Sequence, residues 1–556
     1  DATAADTAAA PAAAGSGDGL RQLWRYADFR VLAPASSLPG TRLHSTIQPL
    51  PKEEVGHGTG RVEDLLQSGA NIMFRPGEAV VLTIDFPEAR PVHEVVIASR
   101  QLRTFQGGCG LRRVVVSGSS DGFKQDRRRL AEVSHDKAPE DGLVDYPAGL
   151  EGKPAVSSLR LEIEPWSPTH RIYLDSVQIM TQAGLAELAE AGFQIHAMAT
   201  CDLDGDGRHE VLAGGTDRII HAIGADGTRR WQVPVGARIN AMAIADSRKA
   251  GGGLTVAAAC EDKTLYAVNA DGRKAFTVTP PPRTYARPGY RGVAPFQSRL
   301  TVLFSTDLEG DGLAELVVGS ANWRTYVYDH RGELRWDEVC WAHTPTCGAA
   351  FDLDGDGRME VVMGNTYAPA VIYSAEGKVI GSAGGTHHAG PTAIACADLD
   401  GNGKGEVIVG DRSGALSFRE WQGRNLPTHA TGSDVTALAV FDADGDGRLE
   451  TAAASRNQML YLFDADGQPI RQMPLLTTCR SLAVADLLGD KTPELIAACE
   501  DGQVKVLSLT GEVLARFAGQ GWMRHVAVCD LDGNPATREI VAACDDGSIY
   551  ALQITP

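Results

Sequence analysis

The sequence predicts an all-β protein: a β-sandwich followed by a ring of four-stranded sheets, a β-propeller. Three observations predict it. An aspartate-rich loop recurs with edits from residue 196 to the C-terminus, and a dipeptide turn ending in glycine recurs in step with it. Before that region, residues 20–182 carry unrepeated runs of alternating apolar residues separated by Pro, Gly and charge, a sandwich pattern.

The loop is clearest at Asp442-Ala-Asp444-Gly-Asp446-Gly-Arg448-Leu-Glu450, with carboxylates at positions 1, 3, 5 and 9, Gly447 at position 6 and the main chain of Arg448 at position 7. A hard divalent cation takes about six to eight oxygens at roughly 2.3–2.6 Å, and a coiled loop turns alternate side chains and one carbonyl inward to supply them. Glycine at position 6 permits the sharp turn. An EF-hand would place Glu at position 12, where this chain has Ala453, and helices on either side, where it has VTALAVFD and ETAAAS. The loop therefore joins two strands.

Eight units begin at Asp202, Asp246, Asp307, Asp352, Asp398, Asp442, Asp486 and Asp530, in steps of 44, 61, 45, 46, 44, 44 and 44 residues. That period suits a four-stranded blade. Seven units carry a second marker, an x-Gly turn: Asp226-Gly227, Asp271-Gly272, Arg331-Gly332, Glu376-Gly377, Gln422-Gly423, Asp466-Gly467 and Thr510-Gly511. Such dipeptides between apolar runs read as tight hairpins. Each unit is thus strand, acidic loop, strand, loop, strand, x-Gly turn, strand.

These units resemble the FG-GAP/VCBS repeats of integrin-α-like β-propellers. The resemblance implies eight blades, or seven with one divergent unit outside the ring, and about four to five structural Ca²⁺ ions. It implies little about activity, because propellers of this kind serve as lectins, adhesion heads, lyases and scaffolds. The complete loops are Asp202, Asp204, Asp206, Arg208 and Glu210; Asp352, Asp354, Asp356, Arg358 and Glu360; and Asp442 to Glu450. Asp398, Asp400, Asn402, Lys404 and Glu406 form a fourth, and Asp307, Glu309, Asp311 and Glu315 a fifth with a longer acid at position 3. The seventh unit has Leu488 at position 3, the eighth an insertion before Glu539, and the second has lost the loop. These three are not expected to hold a cation.

With 43% hydrophobic residues in 556 positions, the chain has material for two domains with cores. No apolar run reaches the ~18 residues of a membrane span. A net charge of −19 argues against nucleic acid as a partner, and the acidic loops carry much of it. Residues 1–19, rich in Ala, Gly and Thr, form a low-complexity tail, read as the mature end left after export; the expected location is extracellular or on the cell surface.

Within residues 20–182, Val114 to Gly122 (VVVSGSSDG), a late LRLEIEPW strand and a closing DSVQI strand resemble a discoidin or F5/8-type-C, galactose-binding-like jelly roll. That resemblance implies glycan binding through loops at one end. Residues 183–194 read as a linker, and residues 195–556 as the propeller. The last unit stops after its third strand, so its outer strand must come from elsewhere: the linker by default, or the tail of another copy. Most cysteines fall at small core positions and read as buried thiols; Cys340 and Cys347 flank one loop, where a disulfide is an alternative.

The loops opposite the acidic loops collect cations and aromatics: Arg238, Tyr285, Arg287, Tyr290, Trp323, Arg324, Trp341, His343, Tyr367, His387, His388, Arg412, Arg456, Arg480, Trp522, Arg524 and His525. Guanidinium pairs with carboxylate or sulfate and aromatic faces stack on sugar rings, so an anionic polysaccharide or glycoconjugate is the expected partner. The longest insertion, TPPPRTYARPGYRGVAPFQ, is placed as a lid over the funnel. Three classes follow: a glycan-binding or adhesion protein; a polysaccharide lyase, in which a cation neutralises a uronate while His or Tyr moves the proton; and a self-assembling subunit of a filament or surface layer.

Overall fold

A computed structural model describes residues 19–555 except 28–31, 35–41, 48, 50–64, 66–71, 77–78, 102–110, 135–141, 151–153, 168, 183–194, 251–252, 284–296, 385–387, 423–424 and 535. The expectations for the tail, the linker, Tyr285, Arg287, Tyr290 and His387 lie outside the described residues. Two compact units form. One holds Gln194–Val278, Leu300–Pro556 and the chain's start, and the other Arg30–Phe193 with Thr279–Arg299.

The repeat unit contains eight antiparallel four-stranded sheets. The first runs Ile195–Cys201, Glu210–Gly215, Ile219–Ile223, Arg229–Pro234. Six more follow the same order, opening with Ile239–Asp246, Leu300–Thr306, Pro345–Phe351, Pro391–Ala397, Val435–Phe441 and Cys479–Ala485. Second strands such as EVLAGG, EVVMGN and ETAAAS are buried at every residue, while the outer RRWQVP is exposed or half-buried throughout. Small and β-branched residues suit a strand covered on both faces; the charged outer strand meets water.

The eighth sheet settles the missing strand. Met523–Cys529, Glu539–Cys544 and Ser548–Ile554 are completed by Leu20–Tyr26, antiparallel from Leu20 opposite Ile554 to Tyr26 opposite Ile549. The donor is therefore neither the linker nor another copy, and the sandwich does not begin at residue 20. Burial explains the choice: Leu20, Trp24 and Tyr26 are buried in this position.

Opening strands of consecutive sheets pack together, and Ile195–Cys201 packs on Met523–Cys529. Side chains six residues before each first aspartate stitch them: Asn240 Nδ2 donates to Leu300 O (2.8 Å), Thr301 Oγ1 to Pro345 O (2.9 Å), Thr346 to Pro391 (2.8 Å), Thr392 to Val435 (2.6 Å) and Thr436 to Cys479 (2.6 Å). Arg480, Arg524 and His196 occupy that position in the other three. On the acidic-loop side, main-chain bonds join neighbours, including His209 N–H to Asp530 O (2.7 Å), which ties the first sheet to the last.

A third set of contacts links outer edges. Trp24, Trp231 and Trp336 each donate Nε1–H to a carbonyl beside the next sheet's x-Gly turn: Ala225 (2.8 Å), Ala270 (2.8 Å) and Ala375 (2.9 Å). The rings lie against Gly227, Gly272 and Gly377, whose φ values of 80°, 80° and 83° a side chain would resist. In the fourth sheet Gly381 takes the tryptophan position, and Trp421 from the following sheet fills the space.

In the second unit, the long strand Val80–Gln101 is shared between two layers. Its first half pairs with Arg42–Ser45 and Ala155–Pro165, its second with Tyr173–Gln182 and Gly142–Gly149. Leu82, Ile84, Val114, Val116, Leu159, Leu161, Leu174 and Val177 form its core. Thr279–Arg299 groups with this unit, and most of the insertion, 284–296, lies outside the described residues. Cys340 and Cys347 are free thiols, as are all cysteines among the described residues. Among those residues no helix is long and apolar enough to cross a membrane.

Candidate metal loops and the opposite face

Each acidic loop is shaped by its own main chain. Asp202 accepts N–H bonds from Gly205 (2.7 Å) and Gly207 (2.9 Å), Asp352 from Gly355 and Gly357 (2.8 Å each), and Asp442 from Gly445 (2.7 Å) and Gly447 (3.0 Å). Position 5 accepts from position 7, as Asp356 does from Arg358 (2.9 Å) and Asn402 from Lys404 (2.8 Å). Position 9 closes the loop: Oε2 of Glu210, Glu315, Glu360, Glu406 and Glu450 accepts the N–H of position 2 at 2.7–3.0 Å. Glu494 and Glu539 do the same in the seventh and eighth sheets. The glutamate is thus a structural element of the repeat, whether or not the rest of the loop is acidic.

Four groups have carboxylate oxygens within 4.8 Å of one another at positions anticipated from spacing: Asp202/Asp204/Asp206, Asp352/Asp354/Asp356, Asp398/Asp400/Glu406 and Asp442/Asp444/Asp446. Two loops differ from what the spacing suggests. The Asp307 loop is not among such groups in the described residues, and its Glu309 pairs with Arg335. The eighth loop, set aside for its insertion, does gather Asp530, Asp532 and Glu539. Its signal was present in the acids at positions 1 and 3; the insertion lengthens the path to Glu539 without moving it away.

Burial pushes Glu315, Glu360 and Glu406 up to about 7, and raises Glu210, Glu450 and Glu539 above the usual carboxylate range, with neighbouring loop aspartates adding to the rise. Crowded, oxygen-only donors of this kind, with half-buried or exposed aspartates beside a buried glutamate, fit a hard divalent cation, which would supply the opposite charge the loop lacks.

On the opposite face most anticipated cations are already paired. Arg238 bonds Glu261 (3.1 Å), Arg324 bonds Asp337 (2.6 Å), Arg456 lies 3.6 Å from Asp434, Arg480 pairs with Glu500, and Arg524 holds Asp545 through Nε (2.6 Å) and Nη2 (2.8 Å). His525 is no cation: burial lowers it to about 4, and the same holds for His196, lowered to about 3. Arg412 is exposed. The partner acids were visible in the sequence, but nothing in their spacing matched them to these arginines.

Two groupings remain. Trp522, 44% exposed, has the guanidinium carbons of Arg480 and Arg524 at 5.6 and 5.5 Å from its ring centre. Tyr367 lies between His343 (ring centres 4.8 Å) and His388 (4.6 Å), and its hydroxyl is 3.3 Å from His388 Nε2. Trp323, Trp341 and His388 hold left-handed backbones, with φ of 70°, 50° and 84°. Trp323 and Trp341 are half-buried.

The FG-GAP-like repeat family profile matches residues 307–363 and 352–409. No curated protein matches the sequence. Among solved structures, BamB from Moraxella catarrhalis is similar at 14% identity and a TM-score of 0.45, over 65% of this chain and 97% of that one. BBS1N in complex with ARL6DN is similar in two crystals, one soaked with mercury (13% identity, TM-score 0.43, 65% of this chain and 92% of that one) and one with lead (14%, 0.44, 66% and 94%).

Proposed function

We propose that this chain is a secreted or cell-surface, calcium-stabilised protein that binds an anionic glycan. In this reading the eight sheets are the blades of a propeller, the second unit is a galactose-binding-like jelly roll, and the ions are structural. The observation that carries the glycan reading is Trp522 with Arg480 and Arg524. An exposed indole offers a flat apolar surface to a sugar ring, and the two guanidiniums bring positive charge to its edge. Glu500 and Asp545 hold those guanidiniums in place, which lowers the ordering cost of binding.

Affinity electrophoresis against neutral, uronic-acid and sulfated polysaccharides tests this reading. An anionic polymer is expected to retard the wild type, and Trp522→Ala is expected to weaken binding about tenfold, matching roughly 1–2 kcal/mol for stacking and cation–π contact. Equal retardation of both proteins, or none with any polymer, overturns it.

A second reading, a lyase acting on a uronic-acid polysaccharide, is favoured by the Tyr367–His388 contact and by Arg412, whose main-chain N–H donates to Gly390 O on the loop of His388. These supply a proton-transfer pair and a cation for the uronate. Ultraviolet absorbance of the unsaturated product would rise with wild type and not with His388→Ala; no rise on any uronate polymer removes this reading. The assembly reading loses its main support, because Leu20–Tyr26 fills the eighth sheet from within the chain.

A further inference from the structure

We infer that the acidic loops fall into two electrostatic classes: those of the fourth, fifth and sixth sheets take a divalent cation, while those of the first, third and eighth are neutralised by arginines of their own sheet and take none. The inference rests on the calcium reading above and refines it.

The controlling position lies 28 residues after the first aspartate, on the outer strand. In the first, third, fourth, sixth and seventh sheets this residue sits at the same irregularity in the pairing of the third and outer strands, between Arg229 and Trp231 in the first and between Val379 and Gly381 in the fourth, for example. An extra residue at such a point re-aims its side chain. In the first sheet it is Arg230, whose Nη1 lies 2.5 Å from Asp204 and Nη2 3.3 Å from Glu210. In the third it is Arg335, paired with Glu309. Position 3 of the first loop is thereby bound to a guanidinium, and position 9 lies beside it.

In the fourth, fifth and sixth sheets the corresponding residues are Ile380, Leu426 and Ile470. Ile380 and Ile470, 40% and 49% exposed, offer these loops no guanidinium from that position. The seventh sheet completes the pattern: where position 3 has become Leu488, the outer residue is Leu514. The two positions answer each other as acid with arginine, acid with aliphatic, or leucine with leucine.

The arginine at position 7 follows the same division. In the fourth and sixth loops it is drawn outward, Arg358 to Glu376 and Arg448 to Asp466 (2.9 Å), both on the x-Gly turn. In the first loop Arg208 turns back onto Asp206 (2.8 Å). In the eighth, Arg538 lies 3.6 Å from Asp530 and Thr537 donates to Asp532 (3.2 Å). A cation entering these loops would have to displace a guanidinium, and two like charges compete for one oxygen set.

The experiment counts ions on the intact chain by calorimetric titration with Ca²⁺ after chelator treatment, with native mass spectrometry as a second count. Wild type is expected to bind three ions, Arg230→Leu four, and Ile380→Arg two. Melting temperatures with and without EDTA supply an independent readout: the EDTA-induced drop should grow in Arg230→Leu and shrink in Ile380→Arg. More than three ions in wild type, or the same count in wild type and Arg230→Leu, overturns the inference while leaving calcium binding intact. No binding in any of the three proteins overturns the calcium reading and this inference with it.

Discussion

Trp24→Ala tests how the repeat unit is closed. Trp24 comes from a strand more than 520 residues away in sequence from its pairing partners, yet it is 8% exposed, lies on Gly227 and donates to Ala225 O at 2.8 Å. Truncating a buried tryptophan costs about 3–5 kcal/mol, which includes the loss of a hydrogen bond worth about 1 kcal/mol. With unfolding entropy near 2.1 cal/mol/K per residue, a cooperative unit of this size loses roughly 1–1.5 °C per kcal/mol, so the melting temperature should fall by about 4–7 °C. Differential scanning calorimetry measures the drop. Trp231→Ala is the control, since Trp231 makes the same contact with Gly272 and Ala270 from a strand in mid-chain. A full drop for Trp231→Ala with less than ~1 °C for Trp24→Ala would refute the placement of Leu20–Tyr26 in the eighth sheet.

Two more expectations concern titration and reactivity. Because Glu315, Glu360 and Glu406 are raised to about 7 from the usual 4.5, the chelated protein binds protons that the unfolded chain releases. Their contribution favours the fold below about pH 4.5 and is lost as pH rises through 7, so chelated protein should lose stability over that window, and Ca²⁺ binding at pH 7 at Glu360 and Glu406 should release protons. Calorimetry in buffers of different ionisation enthalpy reads the release; equal heats in all buffers would contradict it. Burial pushes the thiols of Cys340, Cys347, Cys396 and Cys479 up to about 12, so these four should resist iodoacetamide at pH 8 until denaturant is added. Fast labelling of any of them in native protein, read by peptide mass mapping, would contradict their burial.

The acidic loops were legible because their bonds are local. Asp442 reaches only five residues to Gly447, and Glu450 only seven back to Ala443, so spacing along the chain is nearly the geometry itself. The loops' electrostatic state was not legible: Arg230 reaches Asp204 across 26 residues, and the matching Ile380 looks in sequence like any strand residue. On the other face the arginines stood out, but their partners did not. Arg324 and Asp337 are 13 residues apart, Arg524 and Asp545 are 21, and no periodicity couples them.

The sequence alone determined the repeat, its eight copies, the strand on each side of every acidic loop and the glycine turns, since each depends on hydrogen bonds or sterics within a few residues. Only the tertiary structure decided which strand completes the eighth sheet, which tryptophan meets which turn, and which acids keep their charge. Those outcomes depend on surfaces brought together from distant parts of the chain, and LRQLWRY carries no local mark of the sheet that buries it.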